Sequence, residues 1–332
     1  MSLSPPVVAS GLTFSYGDGP PVLAGVGFRL HEAEVLGIVG ANGSGKTTLL
    51  RMIAGLLRPQ AGTLGVTIPS PAVVFDRLPF QEALTGAENM RTILALRGRK
   101  RAADRQVGAG CLSDFGLAKA SDQPVSAYSF GMRRRLALAE AFAGEPSLLL
   151  LDEPTVGLDP LGRDALADAL EQVSDRGGAV LAATNDADFA ERCCSRVLLL
   201  HQGKVVAEGS PKSLIAELAA PTIIAVEFTG PVSIGSPPGG LATLDVPSAR
   251  AAADYDPPAA ADTVTPRALE FSSRTGTAAL ADLCAWFAAA GADISSVQVR
   301  EPGLADVLRS VAGVGLEAGH QAAIDVLGVP GS

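Results

Sequence analysis

The segment Gly40-Ala41-Asn42-Gly43-Ser44-Gly45-Lys46-Thr47-Thr48 has the residue types and spacing of a loop that wraps phosphate. Glycines let successive backbone N–H groups curl around an anion that side chains would otherwise block. A lysine at the sixth place after the first glycine reaches β and γ phosphates, and the threonine beside it offers a hydroxyl to Mg²⁺. A second chemical signal lies about a hundred residues on. Ser147-Leu148-Leu149-Leu150-Leu151-Asp152-Glu153-Pro154 is an apolar run that ends in two carboxylates. Asp152 suits a Mg²⁺ shell, and Glu153 beside it can polarise an attacking water.

Such groups work only if secondary structure presents them. Val35 to Val39 is a short apolar strand that feeds straight into the glycine loop. After the loop, Leu49, Leu50, Ile53, Leu56 and Leu57 have the spacing of one buried helix face. Strand, glycine loop and helix in succession put the phosphate on a helix N-terminus. The Leu148–Leu151 run reads as a buried strand that delivers Asp152 and Glu153 to the same place.

The order of further motifs identifies a family resemblance. Tyr128-Ser129-Phe130-Gly131-Met132-Arg133-Arg134-Arg135 precedes the carboxylate strand and resembles the signature loop of ABC ATPases. Gly157-Leu158-Asp159-Pro160 resembles the family's D-loop, and Tyr16 matches the aromatic that stacks on adenine. The resemblance spans residues 7 to 218. It implies a P-loop NTPase of the ABC nucleotide-binding type: α/β, with a parallel-sheet core, an antiparallel β subdomain and a helical subdomain. It implies ATP and Mg²⁺ as ligands, with ATP held by Tyr16, by Gly40 to Thr48 and, from a second copy, by Ser129 and the amide of Gly131. Thr47 and Asp152 are then the metal residues, and Lys46 and Glu153 the catalytic ones. The working unit is expected to be a homodimer with two composite sites.

Three positions depart from the family pattern. The signature reads Tyr-Ser-Phe-Gly-Met where Leu-Ser-Gly-Gly-Gln is usual. After the strand Ala179 to Ala183 the family places a histidine on the γ-phosphate, and this chain has Asn185. An amide donates a hydrogen bond but carries no charge and exchanges no proton near neutrality. The glutamine expected to sense the metal falls at Asp76, with Gln81 nearby but out of register. The expectation is intact ATP clamping with slow hydrolysis.

Around these motifs, residues 1–218 alternate short strands and helices as a parallel sheet requires. Val7 to Phe14 and Val26 to Leu30 read as antiparallel strands, Val197 to Leu200 and Val205 to Ala207 as a closing hairpin, and Pro211 to Ala219 as a helix. Residues 219–332 form a small accessory α+β domain. Within it, 231–267 is rich in Pro, Gly and Ala and reads as loop or linker. Strands over Leu269 to Ser273 and Ile294 to Val299 flank a helix at Thr277 to Ala290, and a last helix covers Leu304 to Val314.

Composition excludes several classes. The 332 residues carry a formal net charge of −9, which argues against nucleic-acid binding. A local basic stretch, Arg97 to Arg105, reads as a solvated helix end or loop. Mean hydropathy is +0.28, yet no run of about eighteen apolar residues exists to span a bilayer. Cys111, Cys193, Cys194 and Cys284 form no C-x-x-C pair and read as buried free thiols of a reducing compartment.

One cassette without coiled-coil insertions points to transport rather than repair or translation. Residues 77 to 100 would receive the cytoplasmic helices of a separate multi-spanning permease. The stretch Val297 to Leu308 resembles the C-terminal ending of daunorubicin-resistance exporter ATPases. The chain is thus expected in the cytoplasm, peripheral on the membrane through its permease. A soluble regulatory ATP switch with weak or no hydrolysis is the other reading.

Overall fold

Leu-rich and β-branched runs set the frame of the computed structural model, which describes residues 4–75, 80–96, 98, 105–217, 222–229, 241–244, 267–273 and 276–317. The chain divides into two compact units, one built chiefly of Met1–Leu214 and a second over Ile215–Ser310.

The first unit holds two sheets. β1 (Val7–Phe14), β2 (Leu23–Leu30) and β4 (Ala61–Val66) form an antiparallel sheet in the order β2-β1-β4. The other sheet comprises β3 (Val35–Val39), β5 (Ala72–Val74), β6 (Leu148–Asp152), β7 (Ala179–Thr184), β8 (Arg196–His201) and β9 (Lys204–Gly209), in the order β5-β6-β7-β3-β8-β9. All its pairs are parallel except the β8–β9 hairpin. Every residue of β3, β6 and β7 is buried. Those strands therefore read as continuous apolar runs, as a sheet covered on both faces demands. β1 instead mixes buried and exposed positions, as one-sided sheets do.

Helices cover the frame: α1 (Lys46–Ile53), α2 (Gly86–Leu96), α3 (Arg105–Asp114), α4 (Phe130–Ala143), α5 (Pro160–Asp175), α6 (Ala187–Cys193) and α7 (Pro211–Glu217). One core joins both sheets to α1 through Leu12, Leu23, Phe28, Ile38, Leu49, Leu50, Leu150, Leu181 and Leu198. Register matters most for function. Val39 pairs with Thr184 and Asp152 with Ala183, so β3, β6 and β7 end level along one edge. That edge is where a parallel sheet presents its ligand.

The second unit is an antiparallel sheet of β10 (Thr222–Thr229), β11 (Leu241–Leu244), β12 (Arg267–Ser273) and β13 (Asp293–Arg300), ordered β11-β12-β10-β13. Helix α8 (Ala279–Ala289) covers one face through Leu283 and Phe287, which pack on Ile224, Val226, Phe228 and Phe271. Helix α9 (Leu304–Glu317) follows, with Leu304 and Val307 buried.

The structure corrects the sequence reading in four ways. β2 starts at Leu23, three residues before the expected Val26. β4, β5 and β10 were not expected at all. Leu241–Leu244, inside the Pro/Gly-rich stretch expected to be loop, is a strand on β12. Cys284 is exposed, and only Cys194 of the four thiols is fully buried. Of the basic stretch, only Gly98 and Arg105 fall within the described residues.

Candidate functional site

The glycine loop owes its shape to backbone angles and close approaches that other residues cannot satisfy. Gly45 has φ +108° and Gly43 φ +82°, both left-handed. A β-carbon at Gly40 would overlap the Leu200 carbonyl, and one at Gly45 would stand 2.7 Å from the Val22 carbonyl. The loop is also fastened from behind. The Gly203 N–H in the β8–β9 turn donates to Ser44 O at 3.1 Å, and the Ala24 N–H donates to Gly203 O at 2.8 Å.

Helix α1 starts at Lys46 without a side-chain cap, so its first-turn N–H groups are left for a ligand. Ser44 Oγ is buried and has no hydrogen-bond partner. A buried orphan hydroxyl costs free energy unless something accepts from it or donates to it. An anion cradled by this loop would supply that partner, so the loop fits phosphate.

The glycine loop after β3 and the end of β6 converge on a cavity of about 340 Å³. It is lined by Asn42, Gly43, Gly45, Lys46, Thr47, Thr48, Asp152 and Glu153, with Val22 and Val156. Lys46 Nζ donates to the carbonyls of Gly40 (2.8 Å) and Ala41 (3.2 Å) and stands 3.5 Å from Glu153 Oε1. Thr47 Oγ1 donates to Asp152 Oδ1 at 3.1 Å. Burial pushes the Asp152 carboxyl above its ordinary range; the Thr47 bond opposes this and the neighbouring Glu153 charge adds to it.

Glu153 sits at φ +46°, a left-handed angle unusual for a side chain of this size. Its Oε2 accepts from the Asn185 N–H (3.1 Å) and the Thr184 hydroxyl (3.3 Å). Asn185 Nδ2 reaches Asn42 Oδ1 at 3.3 Å, so the residue in the histidine's place bridges to the glycine loop. Tyr16 leaves half its ring exposed, edge-on to Phe14, with its hydroxyl 3.3 Å from Thr48 Oγ1.

Ser129 and Gly131 are not brought to this cavity. Ser129 is the N-cap of α4 and accepts from the Met132 N–H at 3.2 Å. Gly131 lies against Gly157, where a β-carbon would come within 2.5 Å of the Gly157 carbonyl. Asp76 lies outside the described residues.

Arg134 is a participant that sequence reasoning missed. It is 2% exposed, and its guanidinium donates to the carbonyls of Asp152, Glu153 (2.7 Å) and Phe75 (2.9 Å). A buried cation thus fixes the turn that carries both carboxylates. Its only sequence signal is its place on one α4 face with the buried Leu138 and Ala141.

Comparison with known proteins agrees with this geometry. The ABC transporter family matches residues 23–156. The daunorubicin/doxorubicin resistance ATP-binding protein of Streptomyces peucetius is 36% identical over 225 residues, 64% of this chain and 68% of that protein. The Nod factor export ATP-binding protein I of Rhizobium meliloti strain 1021 is 38% identical over 256 residues, 72% of each chain. A solved dimeric bacterial ABC transporter cassette superposes with a TM-score of 0.55 at 25% identity, over 61% of this chain and 98% of that one. The chain belongs to the ABC transporter family and is one of its ATP-binding ATPases.

Proposed function

We propose that the chain binds and hydrolyses ATP as a homodimer and drives an export permease carried on a separate polypeptide. The observation that carries the reading is the meeting of Lys46, Thr47, Asp152 and Glu153 around one cavity, with Asn185 bonded to Glu153 beside it. The curated relatives named above concern drug resistance and Nod factor export, which supports an exporter assignment. No helix among the described residues is long and apolar enough to cross a membrane. The relative solved as a dimer supports pairing around ATP.

Lys46 would leave the Gly40 and Ala41 carbonyls for the β and γ phosphates, and Ser44 with the α1 amides would complete the cradle. Mg²⁺ fits Thr47 and Asp152, two neighbouring oxygen donors; it would neutralise phosphate charge there. Among the described residues no group of three or more His, Cys, Asp or Glu side chains could hold a metal. Mg²⁺ is commonly held by one or two protein oxygens together with substrate phosphates. Glu153 would take the proton of the attacking water, held in place by Asn185 and Thr184. Asn185 would contact the γ-phosphate without imidazole charge, hence slow turnover. Asp76 stays a candidate metal neighbour on sequence grounds. Ser129 and the Gly131 amide would meet the γ-phosphate of the partner copy. Residues 77 to 100 would seat the permease and so hold the protein at the cytoplasmic face. The division at 218/219, with an accessory domain after it, is part of the same proposal.

The test is Mg-ATP turnover beside Glu153→Gln, with nucleotide binding measured on both. Turnover lost in the variant while binding persists is the expected result. Tight binding without turnover in either protein would favour the regulatory switch. Co-purification with a multi-spanning membrane protein checks the exporter assignment.

A further inference from the structure

Two segments that flank the helical part of the first unit are zipped together by backbone bonds. The N–H groups of Gly86 and Ala87 donate to the carbonyls of Gln123 and Ser121, at 3.3 and 3.0 Å. In return, Val125 and Ser126 donate to Leu84 and Glu82, each at 2.9 Å. One face of this zip opens on a cavity of about 380 Å³ lined by Thr85, Ala87, Glu88, Arg91, Ser121 and Asp122, among others. Behind it stands Tyr128. Its ring is 5% exposed, its hydroxyl donates to Ala120 O at 2.7 Å, and it lies over Gly86, which has no side chain to push it away. A β-carbon at Gly86 would overlap the Tyr128 hydroxyl and lie 3.1 Å from the ring carbon that bears it.

Tyr128 is the residue before Ser129. Both are extended, Tyr128 with ψ 138° and Ser129 with ψ 166°, and they are the whole link between the turn Val125–Ala127 and helix α4. A link of two extended residues has little slack, so the place of the tyrosine ring decides the place of the serine. We infer that Tyr128 is a positioning residue, which, through its fit on Gly86, sets where Ser129 stands. The inference rests on the proposed role of Ser129 toward the partner's nucleotide.

The test uses the full chain carrying Glu153→Gln, so that ATP-driven self-association is read without turnover. Gly86→Ala is expected to raise the ATP concentration for half-association about tenfold, the effect of weakening one charge-assisted hydrogen bond. Nucleotide affinity of the dilute monomer should not change, since the glycine loop is untouched. Adding Tyr128→Leu, whose side chain ends short of the hydroxyl, makes room for the new methyl and should recover part of the association, short of the parent's. Tyr128→Phe alone removes only the bond to Ala120 and should give a smaller shift of the same sign; it carries the test if Gly86→Ala does not fold. Unchanged association in Gly86→Ala overturns the inference. So does a loss that Tyr128→Leu fails to relieve, or one matched by weaker monomer binding. A parent that never associates with ATP removes the reading of Ser129 and the inference with it.

Discussion

The phosphate-loop face and the Ser129 face of this chain are built to different degrees of completion. Around the phosphate loop, Lys46, Thr47, Asp152, Glu153, Thr184 and Asn185 are already joined by hydrogen bonds and an ion pair, and Arg134 anchors the turn beneath them. At the other face, Ser129 only caps its own helix, and Phe130 beside it is 57% exposed. The first face is finished within one copy. The second offers a capped helix N-terminus which, under the proposed function, would meet the partner copy's nucleotide. Under the proposed function, the difference means that ATP affinity would be a property of one chain while turnover would be a property of two.

Variants can break or sharpen that contrast. Glu153→Gln should have the largest effect, lowering turnover by about 10²- to 10⁴-fold while nucleotide affinity holds, as for loss of a general base. Equal losses in both would mean that Glu153 shapes the cavity and does no chemistry. Arg134→Met should follow, destabilising the first unit by about 3 kcal/mol in urea unfolding, because carbonyls of Asp152, Glu153 and Phe75 lose their donor. A cost near zero would show that water or a neighbour replaces the guanidinium. Ser129→Ala removes a helix cap and should cost about 1 kcal/mol of stability. Monomer binding should survive and ATP-driven association should weaken; an unchanged association curve would count against the two-face picture.

The smallest effect concerns pH. Asp186 caps α6 and also holds Thr155 (2.9 Å) and Arg163 (2.7 Å). Burial works to raise its pKa, but the Phe189 N–H, the Thr155 hydroxyl and the Arg163 charge outweigh it and hold the carboxyl below the ordinary range. A depressed folded pKa stabilises the protein above the unfolded value, near 3.9, and that stability is lost as pH falls through the folded one. Asp186→Asn should therefore flatten the stability profile below about pH 4 and lower the plateau at neutral pH by about 1 kcal/mol. A profile that keeps its acid slope would place the titration elsewhere.

Much of this frame was visible in the residues. Buried strands β3 and β6 announce themselves as unbroken apolar runs, and the glycines between β3 and α1 mark a loop of left-handed angles and close approaches. β4 was invisible because Ala61-Gly-Thr-Leu-Gly-Val66 has weak strand preference and is held by pairing with β1. β10 could have been found, since Ile224, Val226 and Phe228 alternate with less buried neighbours, a period of two. β11 is four residues in a Pro/Gly-rich stretch, held by β12 alone. Arg134 lies inside Arg133-Arg134-Arg135, and beyond its place on the buried α4 face, its role depends on carbonyls distant in sequence. Asn185 was legible as a replacement, but its bridge to Asn42 depends on β3 and β7 ending level.

The fastening behind the glycine loop has a consequence for how the molecule breathes. The amide hydrogens of Gly203 and Ala24 sit in bonds that join the β8–β9 turn, the glycine loop and strand β2. Their exchange with deuterated solvent should require release of the whole unit and fall among its slowest amides. The amides of α1's first turn, bare on the cavity side, should exchange early and slow sharply once ATP is added. A binding surface that is quick in front and slow behind would leave its footprint in a single exchange experiment.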